Sequence, residues 1–585
     1  MIPVTIDSDE KRAWVVGRVP PHVFTALEGL PGRKRYVGGT PYFEPSRSNL
    51  EYIDMRLEDV QWRGPARRMI EKFREMREAE KTARETRTAA AETFEVGEFP
   101  FKTQPYDHQK KCFMLARTAL SSNVPAFGLF MEQGTGKTKV MLDLAADLFI
   151  NGGGRGRIDT MIIVAPNGVH AQWINEQVPT HLSEAVPWRG AYTVASPNAD
   201  ERRAMAETRA YKEGLRVFAV HVDSLSQKKG QEFLREILTG SNALLAIDES
   251  SRIKDMSSKR TKFIVALAKL ARYRLIATGT PVSQGVEDLY SQFYFLDKNI
   301  LGYDSFFSFR NHFCQMGGYQ GKKIVGYINE DELKKKIDSY TYRVLKDDCL
   351  DLPRKNFIRR EVLFTPEQRK VYDQMRKEFF LEVDGGVMTA RMALTRIIRL
   401  QQIVSGFISR SAKKDEFGRI VEDALFQELP NGRAAAAVDI IQEAQGKVIV
   451  WVKFEGDHKL LTKALDDAKI KWVDYVGPTP QQDRAKNIET FRNDPECKVF
   501  ISSPKSGGTG LNLTCASEVI WYSRDFSLEN ELQANDRCHR IGQERVVNYH
   551  FLVTPRTVDE RIDKLLRSKL SVAENLIDLR SLVDE

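Results

Sequence analysis

The stretch AFGLFMEQGTGKTKVMLDLAADLF, from Ala126 to Phe149, decides the fold of this chain. An apolar run, predicted as a buried strand, leads into a Gly-rich turn, and an amphipathic helical pattern follows it. Such a unit is the context of a phosphate-binding loop, in which backbone N–H groups of the turn and the helix start hold phosphate oxygens. The usual pattern is G-x-x-x-x-G-K-[ST], and Met131 stands where its first Gly would be. The context therefore indicates a nucleotide site rather than a chance match.

Four residues of this loop are candidate ligands of a nucleotide and its metal ion. Gly134 and Gly136 let the backbone come close to phosphate oxygens, and Lys137 neutralises charge on the β- and γ-phosphates. The Thr138 hydroxyl is a candidate Mg²⁺ ligand. The sequence therefore predicts a nucleoside triphosphate and Mg²⁺ as cofactors.

A second motif, ALLAIDESSRIKD at residues 243–255, places two carboxylates directly after an apolar run. At the carboxyl end of a strand in such a sheet, they would lie beside the phosphate-binding loop. Asp248 is predicted to hold Mg²⁺, and Glu249 to orient the attacking water, as phosphoryl transfer requires. An Asp-Glu pair alone is more often a solvated helix cap, so the preceding strand is what makes this motif informative.

Upstream of the loop, QPYDHQK at residues 104–110 contains a candidate base-reading residue. The Gln109 amide can pair with both the N6 and the N7 edges of adenine, the geometry that amides use on DNA. This interpretation selects ATP over GTP. The alternative is an ordinary Gln at the start of a helix.

Far along the chain, ELQANDRCHRIGQ at residues 531–543 combines a Gln with two Arg. Gln533, Arg537 and Arg540 have the spacing of one helix face, and the two Arg are at i, i+3. Two such Arg are predicted to stabilise charge on the γ-phosphate, as arginine fingers do in other nucleotide hydrolases. For any one of them, the alternative is an Arg exposed on a helix.

The alternation of apolar runs and helical patterns along the chain predicts two parallel sheets with helices on both faces. Short apolar runs alternate with helical patterns from about residue 100 to 295, and the same rhythm returns after about residue 440. The first set comprises AFGLFM, TMIIVAP, RVFAVHV, ALLAIDE and RLIATGT, and the second comprises KVIVWVKF, KWVDYVG, KVFISSP, SEVIWYS and VVNYHFLV. The fold class is therefore α/β.

Composition narrows the function classes without identifying one. The net charge of +8 permits a nucleic-acid partner, and 42% hydrophobic residues are ordinary for a globular chain. The sequence contains no run of about 18 apolar residues, so it predicts no membrane span. The six Cys form no C-x-x-C pair. This pattern argues against a structural zinc site and favours a reducing compartment. We expect a soluble intracellular protein, in the cytoplasm or nucleoid of a bacterial or phage-infected cell rather than in a nucleus.

Taken in order from about residue 100 to 565, these motifs resemble those of the Swi/Snf family of helicase-like ATPases, in helicase superfamily two. EQGTGKT matches the family's motif I, and ATGTPVSQGVEDLYSQFYFL at 277–296 is similar to motif III. The longest match, at 502–543, covers motifs V and VI and ends in R-I-G-Q, where DEAD-type RNA helicases carry R-x-G-R. Within the family, the chain is most similar to phage, bacterial or annealing-helicase-like members.

The resemblance implies two tandem RecA-like P-loop lobes, with ATP between them and DNA across both. It adds nucleotide contacts at Gln133, Thr135 and Gly510. Backbone contacts to DNA suit a motor that must ignore base sequence. The residues implied to face that backbone, or to link DNA to ATP, are Pro166, Trp173, Thr278, Gly279, Thr280, Ser506, Gly507, Gly508 and Thr509.

We expect a domain order in which a small N-terminal accessory domain, a candidate for recognising DNA or forks, precedes the two lobes. The predicted segments are that domain at 1–60, a charged helical linker at 61–98, the ATP-binding lobe at 99–296, a helical insertion at 297–430, the C-terminal lobe at 431–565 and a C-terminal helix at 566–585. The linker is either a charged spacer or a basic helix that contacts DNA.

One departure from the family pattern bears on mechanism: Ser250 and Ser251 stand where the family often has Ala and His. The carboxylates survive, so the departure concerns coupling rather than hydrolysis. The leading hypothesis is an ATP-dependent DNA translocase, acting as a monomer, that remodels forked or branched DNA in replication, repair or recombination. The alternatives are a strand-separating DNA or RNA helicase, and a nucleotide-gated DNA clamp without motor activity.

Overall fold

The structure is a computed structural model that divides into two compact units, of which the first includes Met1–Cys349 and the second is Leu350–Val572. The residues that the structure describes are 4–9, 12–16, 35–37, 40–43, 49–50, 53–54, 57, 60–72, 74–75, 99–167, 169–194, 196–283, 285–317, 323–384, 390–410, 413–414, 420–422, 425–504 and 511–577.

The N-terminal part of the first unit forms a five-stranded sheet of order β3-β4-β2-β1-β5. Its strands are β1 Val4–Ser8, β2 Ala13–Val15, β3 Arg35–Val37, β4 Thr40–Phe43 and β5 Val60–Trp62. Its core is a cluster of buried apolar side chains that includes Ile6, Phe43 and Trp62. This region therefore has a hydrophobic core of its own.

The accessory core extends beyond the boundary predicted at residue 60. Strand β5 pairs in parallel with β1, and the fully buried Ala66 and Ile70 pack into the same core. The segment predicted as a charged linker at 61–98 therefore begins as part of this domain, because its first apolar side chains are spaced to face the sheet. Residues 76–98 lie outside the described residues.

The larger sheet of the first unit has seven strands in the order β14-β6-β11-β10-β7-β9-β8, all parallel. Its central strands are buried on both faces, which is why their sequences are nearly continuous apolar runs. The strands are β6 Ala126–Met131, β7 Thr160–Ala165, β8 Trp188–Tyr192, β9 Leu215–His221, β10 Ala243–Asp248, β11 Tyr273–Ala277 and β14 Thr341–Val344. A hairpin outside this sheet pairs β12 Cys314–Gly317 with β13 Lys323–Tyr327.

The helices of this unit surround the sheet, and most connect successive parallel strands. They are α1 Asp107–Leu120, α2 Lys137–Ile150, α3 Val169–Gln172, α4 Val178–His181, α5 Ala199–Ala210, α6 Lys228–Thr239, α7 Lys259–Ala268, α8 Asp288–Leu296, α9 Lys298–Leu301, α10 Phe306–Phe313, α11 Glu330–Asp338 and α12 Lys346–Cys349. Short 3₁₀ turns occupy Val222–Ser226 and Ser250–Ile253, and a π-helical turn occupies Trp173–Gln177.

The second unit contains a six-stranded parallel sheet of order β15-β24-β23-β20-β22-β21. Its strands are β15 Lys355–Glu361, β20 Lys447–Trp451, β21 Trp472–Tyr475, β22 Val499–Ser502, β23 Ala516–Trp521 and β24 Val547–Val553. Apolar clusters cover both of its faces. The expected α/β class with two parallel sheets is confirmed.

Helices of the second unit flank this sheet or extend from it. They are α13 Pro366–Asp384, α14 Ala390–Ser405, α15 Arg433–Glu443, α16 Glu455–Asp467, α17 Gln481–Asn493, α18 Leu528–Asn535 and α19 Val558–Ile577. Four short strands form two small hairpins, β16 Phe407–Arg410 with β19 Leu425–Glu428, and β17 Lys413–Lys414 with β18 Ile420–Glu422.

The segment predicted as a helical insertion, 297–430, is only partly helical. Its strand β14 joins the first sheet beside β6, and its strand β15 joins the second sheet beside β24. Both are edge strands in which most side chains are half-exposed or exposed, so neither produces the apolar run that identifies a central strand in sequence. The predicted C-terminal helix also begins earlier than residue 566, at Val558.

Candidate functional site

Strand order brings three sequence motifs to one edge of the seven-stranded sheet. Strand β11 lies between β6 and β10, and the three are parallel. The phosphate-binding loop follows β6, the Thr278 segment follows β11, and the carboxylates stand at the end of β10. The carboxyl edge of parallel strands is where such sheets bind ligands.

The turn after β6 has the backbone of a phosphate-binding loop. Gly134 and Gly136 have φ values of 80° and 95°, in the left-handed region, and helix α2 begins at Lys137 directly after them. A Cβ on Gly136 would lie 2.1 Å from Nε2 of Gln109. Gly136 is therefore required both by its φ and by the approach of Gln109.

Gln109 contacts the loop rather than solvent. Its Nε2 donates to the Thr135 carbonyl at 3.0 Å, its Oε1 accepts from the Tyr106 backbone at 3.1 Å, and the side chain is buried. His108, which the sequence interpretation did not single out, bonds the same Thr135 carbonyl through Nε2 at 2.8 Å. Helix α1 thus holds the loop through two side chains.

Lys137 is buried inside the loop. Its Nζ donates to the carbonyl of Met131 at 2.9 Å and to that of Glu132 at 3.3 Å. The ammonium therefore lies within the turn that would surround phosphate oxygens. Its position agrees with the charge-neutralising role expected of it.

The two carboxylates at the end of β10 are held by different partners. Trp173 donates its indole N–H to Oδ2 of Asp248 at 2.9 Å. Glu249 accepts from Nε2 of Gln133 and, at 3.3 Å, from the Thr278 hydroxyl. Glu249 has a φ of 57°, an uncommon conformation for a residue with a Cβ, so the turn is fixed in a strained geometry next to the loop.

Burial raises the pKa of Asp248, because it disfavours the charged carboxylate; the indole of Trp173 and the charge of Lys137 oppose this effect. The Thr138 hydroxyl stands at the second position of α2. Carboxylate and hydroxyl oxygens are the donors that Mg²⁺ prefers, so Asp248 and Thr138 fit that ion. Within the described part of the chain, no group of three or more His, Cys, Asp or Glu forms a further metal site.

The residues implied to face DNA or to link it to ATP are largely buried in this unit. Trp173 is 1% exposed, Thr278 is 0% exposed, and Pro166 and Thr280 are buried as well. A Cβ on Gly279 would meet the backbone N of Gln133 at 3.1 Å. Trp173, Thr278 and Gly279 thus lie against Asp248, Glu249 and the nucleotide loop.

The 3₁₀ turn after Glu249 is anchored by helix α8. The Ser250 hydroxyl donates to Oε1 of Gln292 at 2.6 Å, and the Ser291 hydroxyl donates to the Ile253 carbonyl at 2.6 Å. Gln292 was missed by sequence reasoning, because a Gln inside a mostly apolar helix gives no signal of its target. Ser251 is also buried.

In the second unit, one prediction about local structure is wrong. Gln533 lies in α18, but the helix ends at Asn535, so Arg537 and Arg540 do not continue its face. The Arg537 carbonyl accepts from the Leu513 backbone at 2.9 Å, and the chain turns at Gly542, whose φ is 96°. The turn places these Arg on non-helical backbone next to the segment that follows β22.

Side-chain contacts of the two Arg are nonetheless well defined. Arg537 donates from Nε to the Gln533 carbonyl at 2.9 Å, and Arg540 donates from a guanidinium N to the Leu511 carbonyl at 3.4 Å. Burial lowers the pKa of Arg540 from its usual value, with nearby Asp536 opposing it. Ser506, Gly507, Gly508, Thr509 and Gly510 lie outside the described residues.

Two family models match successive parts of the chain. One, described as the SNF2-related domain, matches residues 106–407, which is more than half of the chain. The chain belongs to the SNF2-related family. The other, the helicase conserved C-terminal domain, matches residues 432–542. Membership of this family of helicase-like ATPases agrees with the resemblance seen in the motifs, and with an ATP-hydrolysing enzyme class.

Relatives of this SNF2-related chain come from bacteria and eukaryotes. The provisionally named ATP-dependent helicase/translocase YwqA of Bacillus subtilis is 26% identical over 78% of this chain and 47% of its own length. The SWI/SNF chromatin-remodeling complex subunit snf22 of Schizosaccharomyces pombe is 29% identical over 57% of this chain and 20% of its own. The chain thus spans about half or less of the length of these relatives.

A solved structure of the Sulfolobus solfataricus SWI2/SNF2 ATPase core in complex with dsDNA is 24% identical. It covers 83% of this SNF2-related chain and 95% of the other chain, with a TM-score of 0.37. Among the described residues, no helix has the length and apolar character needed to cross a membrane.

Proposed function

We propose that the chain is a DNA translocase that hydrolyses ATP to move along duplex DNA and to remodel forked or branched DNA in replication, repair or recombination. The observation that carries the proposal is the meeting of Lys137, Asp248 and Glu249 at the carboxyl edge of the parallel strands β6, β11 and β10. Phosphoryl transfer needs a phosphate-binding cation, a metal ligand and a water-positioning group together, which this edge provides.

In this proposal each residue has a distinct task. Lys137 and the backbone of 133–138 bind the triphosphate, Thr138 and Asp248 bind Mg²⁺, and Glu249 orients the attacking water. Bound Mg²⁺ would supply charge neutralisation on the β- and γ-phosphates. Arg537 and Arg540 stabilise the charge that develops on the γ-phosphate, with Gln533 and Gly510 as further nucleotide contacts. Gln109 favours adenine.

DNA is proposed as the polymer for three reasons. The family resemblance implies it, the net charge of +8 is compatible with a phosphate-rich partner, and relatives are named as a helicase/translocase and as a chromatin-remodeling subunit. The accessory sheet has its own core, so it can act as a separate recognition module for a DNA fork. A monomer suffices for this motor, because the chain contains both helicase-like domains.

The proposal is tested by measuring ATP hydrolysis with different nucleic acids. Equal concentrations of duplex DNA, single-stranded DNA, a model fork and duplex RNA are compared at fixed salt, with and without residues 1–75. We expect duplex DNA to stimulate turnover at least about tenfold, and the fork to exceed the plain duplex only when residues 1–75 are present.

The other outcomes assign the alternatives. Stimulation by RNA alone would make the chain an RNA helicase and contradict the proposal. Stimulation by single strands together with separation of a labelled duplex would favour a strand-separating helicase. Equal stimulation by fork and duplex in both lengths of protein would remove the fork-remodelling role and leave the translocase.

A further inference from the structure

We propose that Gln292 is a positioning residue for ATP hydrolysis, which fixes the turn carrying Glu249 to the segment that follows strand β11. The inference rests on the proposed hydrolytic role of Glu249. It assigns a function to a buried amide that the motifs do not identify, and it explains what Ser250 contributes at a position where the family often has Ala.

The contacts of Gln292 join three separate pieces of backbone. The side chain is 0% exposed, and its Oε1 accepts from the Ser250 hydroxyl at 2.6 Å. Its Nε2 donates to the carbonyls of Pro281 and Asp288, both at 2.8 Å. Because carbonyl oxygens only accept, these two contacts fix which end of the amide is nitrogen, and hence that Ser250 is the donor.

These hydrogen bonds close a ring around the hydrolytic carboxylate. Glu249 accepts from the Thr278 hydroxyl at 3.3 Å, the chain continues from Thr278 to Pro281, and Gln292 returns from Pro281 to Ser250. The segment after β11 is therefore connected to the carboxylate turn at two points, from Thr278 to Glu249 and from Pro281, through Gln292, to Ser250. A displacement of that segment must act on Ser250, the neighbour of a Glu held at a φ of 57°.

Holding the turn in place does not by itself require Gln292. Ser291, the preceding residue of α8, already donates to the Ile253 carbonyl at the far end of the same turn, at 2.6 Å. What Gln292 adds is the connection to Pro281. We therefore expect loss of the Gln292 amide to change the orientation of Glu249 more than it changes the stability of the fold or the affinity for nucleotide.

The test is a double-mutant cycle on ATP turnover by the full chain. Ser250→Ala removes the donor, and Gln292→Met keeps side-chain length while removing all three hydrogen bonds. We expect each single variant to lower kcat about tenfold with KM for ATP within about twofold of wild type. The kcat of the double variant should be no more than about twofold below that of the slower single variant, because both substitutions break the same connection between Ser250 and Gln292.

A matched control separates positioning from loss of stability. Ser183→Ala removes another buried hydroxyl-to-carbonyl bond of 2.6 Å, from Ser183 to Pro100, in the same unit but outside the site. It should leave kcat unchanged. Rates are expressed per nucleotide-binding site, counted by titration with a fluorescent ADP analogue, so that unfolded protein does not lower kcat.

Wild-type kcat in either single variant, or effects that multiply in the double variant, would overturn the role of Gln292. A fall in kcat that Ser183→Ala reproduces would overturn it too. ATP turnover without stimulation by DNA would contradict the proposed motor and still allow the cycle to decide on Gln292. No turnover in the wild type would contradict both.

Discussion

At the scale of single residues, the site depends on how charged groups are held when they are buried. Lys137 donates to the carbonyls of Met131 and Glu132, and its charge also acts on Asp248. Glu249 accepts hydrogen bonds from the side chains of Gln133 and Thr278. Charge-assisted hydrogen bonds of this kind are strong and directional, so they fix the Glu249 carboxylate, which we propose orients the attacking water.

Replacing either Lys137 by Ala or Glu249 by Gln should abolish ATP turnover. The first removes the cation proposed to bind phosphate, and the second replaces the negative charge proposed to polarise water by a neutral amide of the same shape. We expect at least about a hundredfold lower kcat in both, and retained nucleotide binding for Glu249→Gln alone. Steady-state hydrolysis and nucleotide titration measure these effects. Normal turnover in either variant would contradict the site assignment.

Trp173→Phe should slow hydrolysis without unfolding the lobe. The indole donates to Oδ2 of Asp248 at 2.9 Å, and a hydrogen bond to a charged group is worth about 1.5–3 kcal/mol. Phe keeps most of the buried packing. We expect kcat to fall about tenfold or more at saturating Mg²⁺, with the melting temperature lowered by only a few degrees. An unchanged kcat would show that the indole contact does not orient Asp248.

At the scale of elements, strands were easier to predict than the segments that join the units. Central strands such as β6 and β10 are buried on both faces, so their apolar runs are visible in sequence. Most side chains of the edge strands β14 and β15 are half-exposed or exposed, and these strands carry no such run. The face proposed for Arg537 and Arg540 failed because spacing predicts a common face only while a helix continues.

The site was predictable only in part, for the same physical reason. Lys137 and the Asp248–Glu249 pair follow strands, so local pattern places them at the same sheet edge. The contacts between Gln292 and Ser250, and between Trp173 and Asp248, join residues that are 42 and 75 positions apart. No local pattern encodes such a pair, because tertiary packing decides which side chains meet.

Helix α2 contains an ion pair with a predictable pH dependence. Asp143 lies 2.8 Å from Lys139, and burial raises the pKa of Asp143 to about 6. A carboxyl whose pKa is raised on folding binds its proton more tightly in the folded state. The free energy of unfolding therefore falls as pH rises from about 4 to about 6 and the carboxyl loses its proton. The pKa shift of about two units corresponds to a loss of roughly 3 kcal/mol, at about 1.4 kcal/mol per unit.

The check is the melting temperature of wild type and Asp143→Asn between pH 4.5 and 7.5. The melting temperature of the variant should rise relative to that of wild type as pH rises to about 6, and the difference should then stay constant. Loss of the Lys139 partner shifts this difference by the same amount at every pH. A difference that does not change with pH would show that Asp143 has an ordinary pKa.

At the scale of the whole molecule, a motor that grips DNA through phosphates must be sensitive to salt. Binding that neutralises phosphates releases counterions, with a slope of about −0.9 per contact for duplex DNA. We expect the DNA concentration for half-maximal ATPase stimulation to rise at least about tenfold between 50 and 200 mM salt. The KM for ATP should change far less. Equal sensitivity of both constants would argue against a phosphate-tracking interface.

The most direct measurement is displacement of a labelled third strand from a triplex on a duplex track. A translocating motor reaches the triplex and removes the strand at a rate that depends on ATP and on track length. We predict ATP-dependent displacement by the wild type and none by Glu249→Gln, which should still bind the track. ATP-dependent binding with hydrolysis but no displacement would contradict the account and identify a nucleotide-gated clamp.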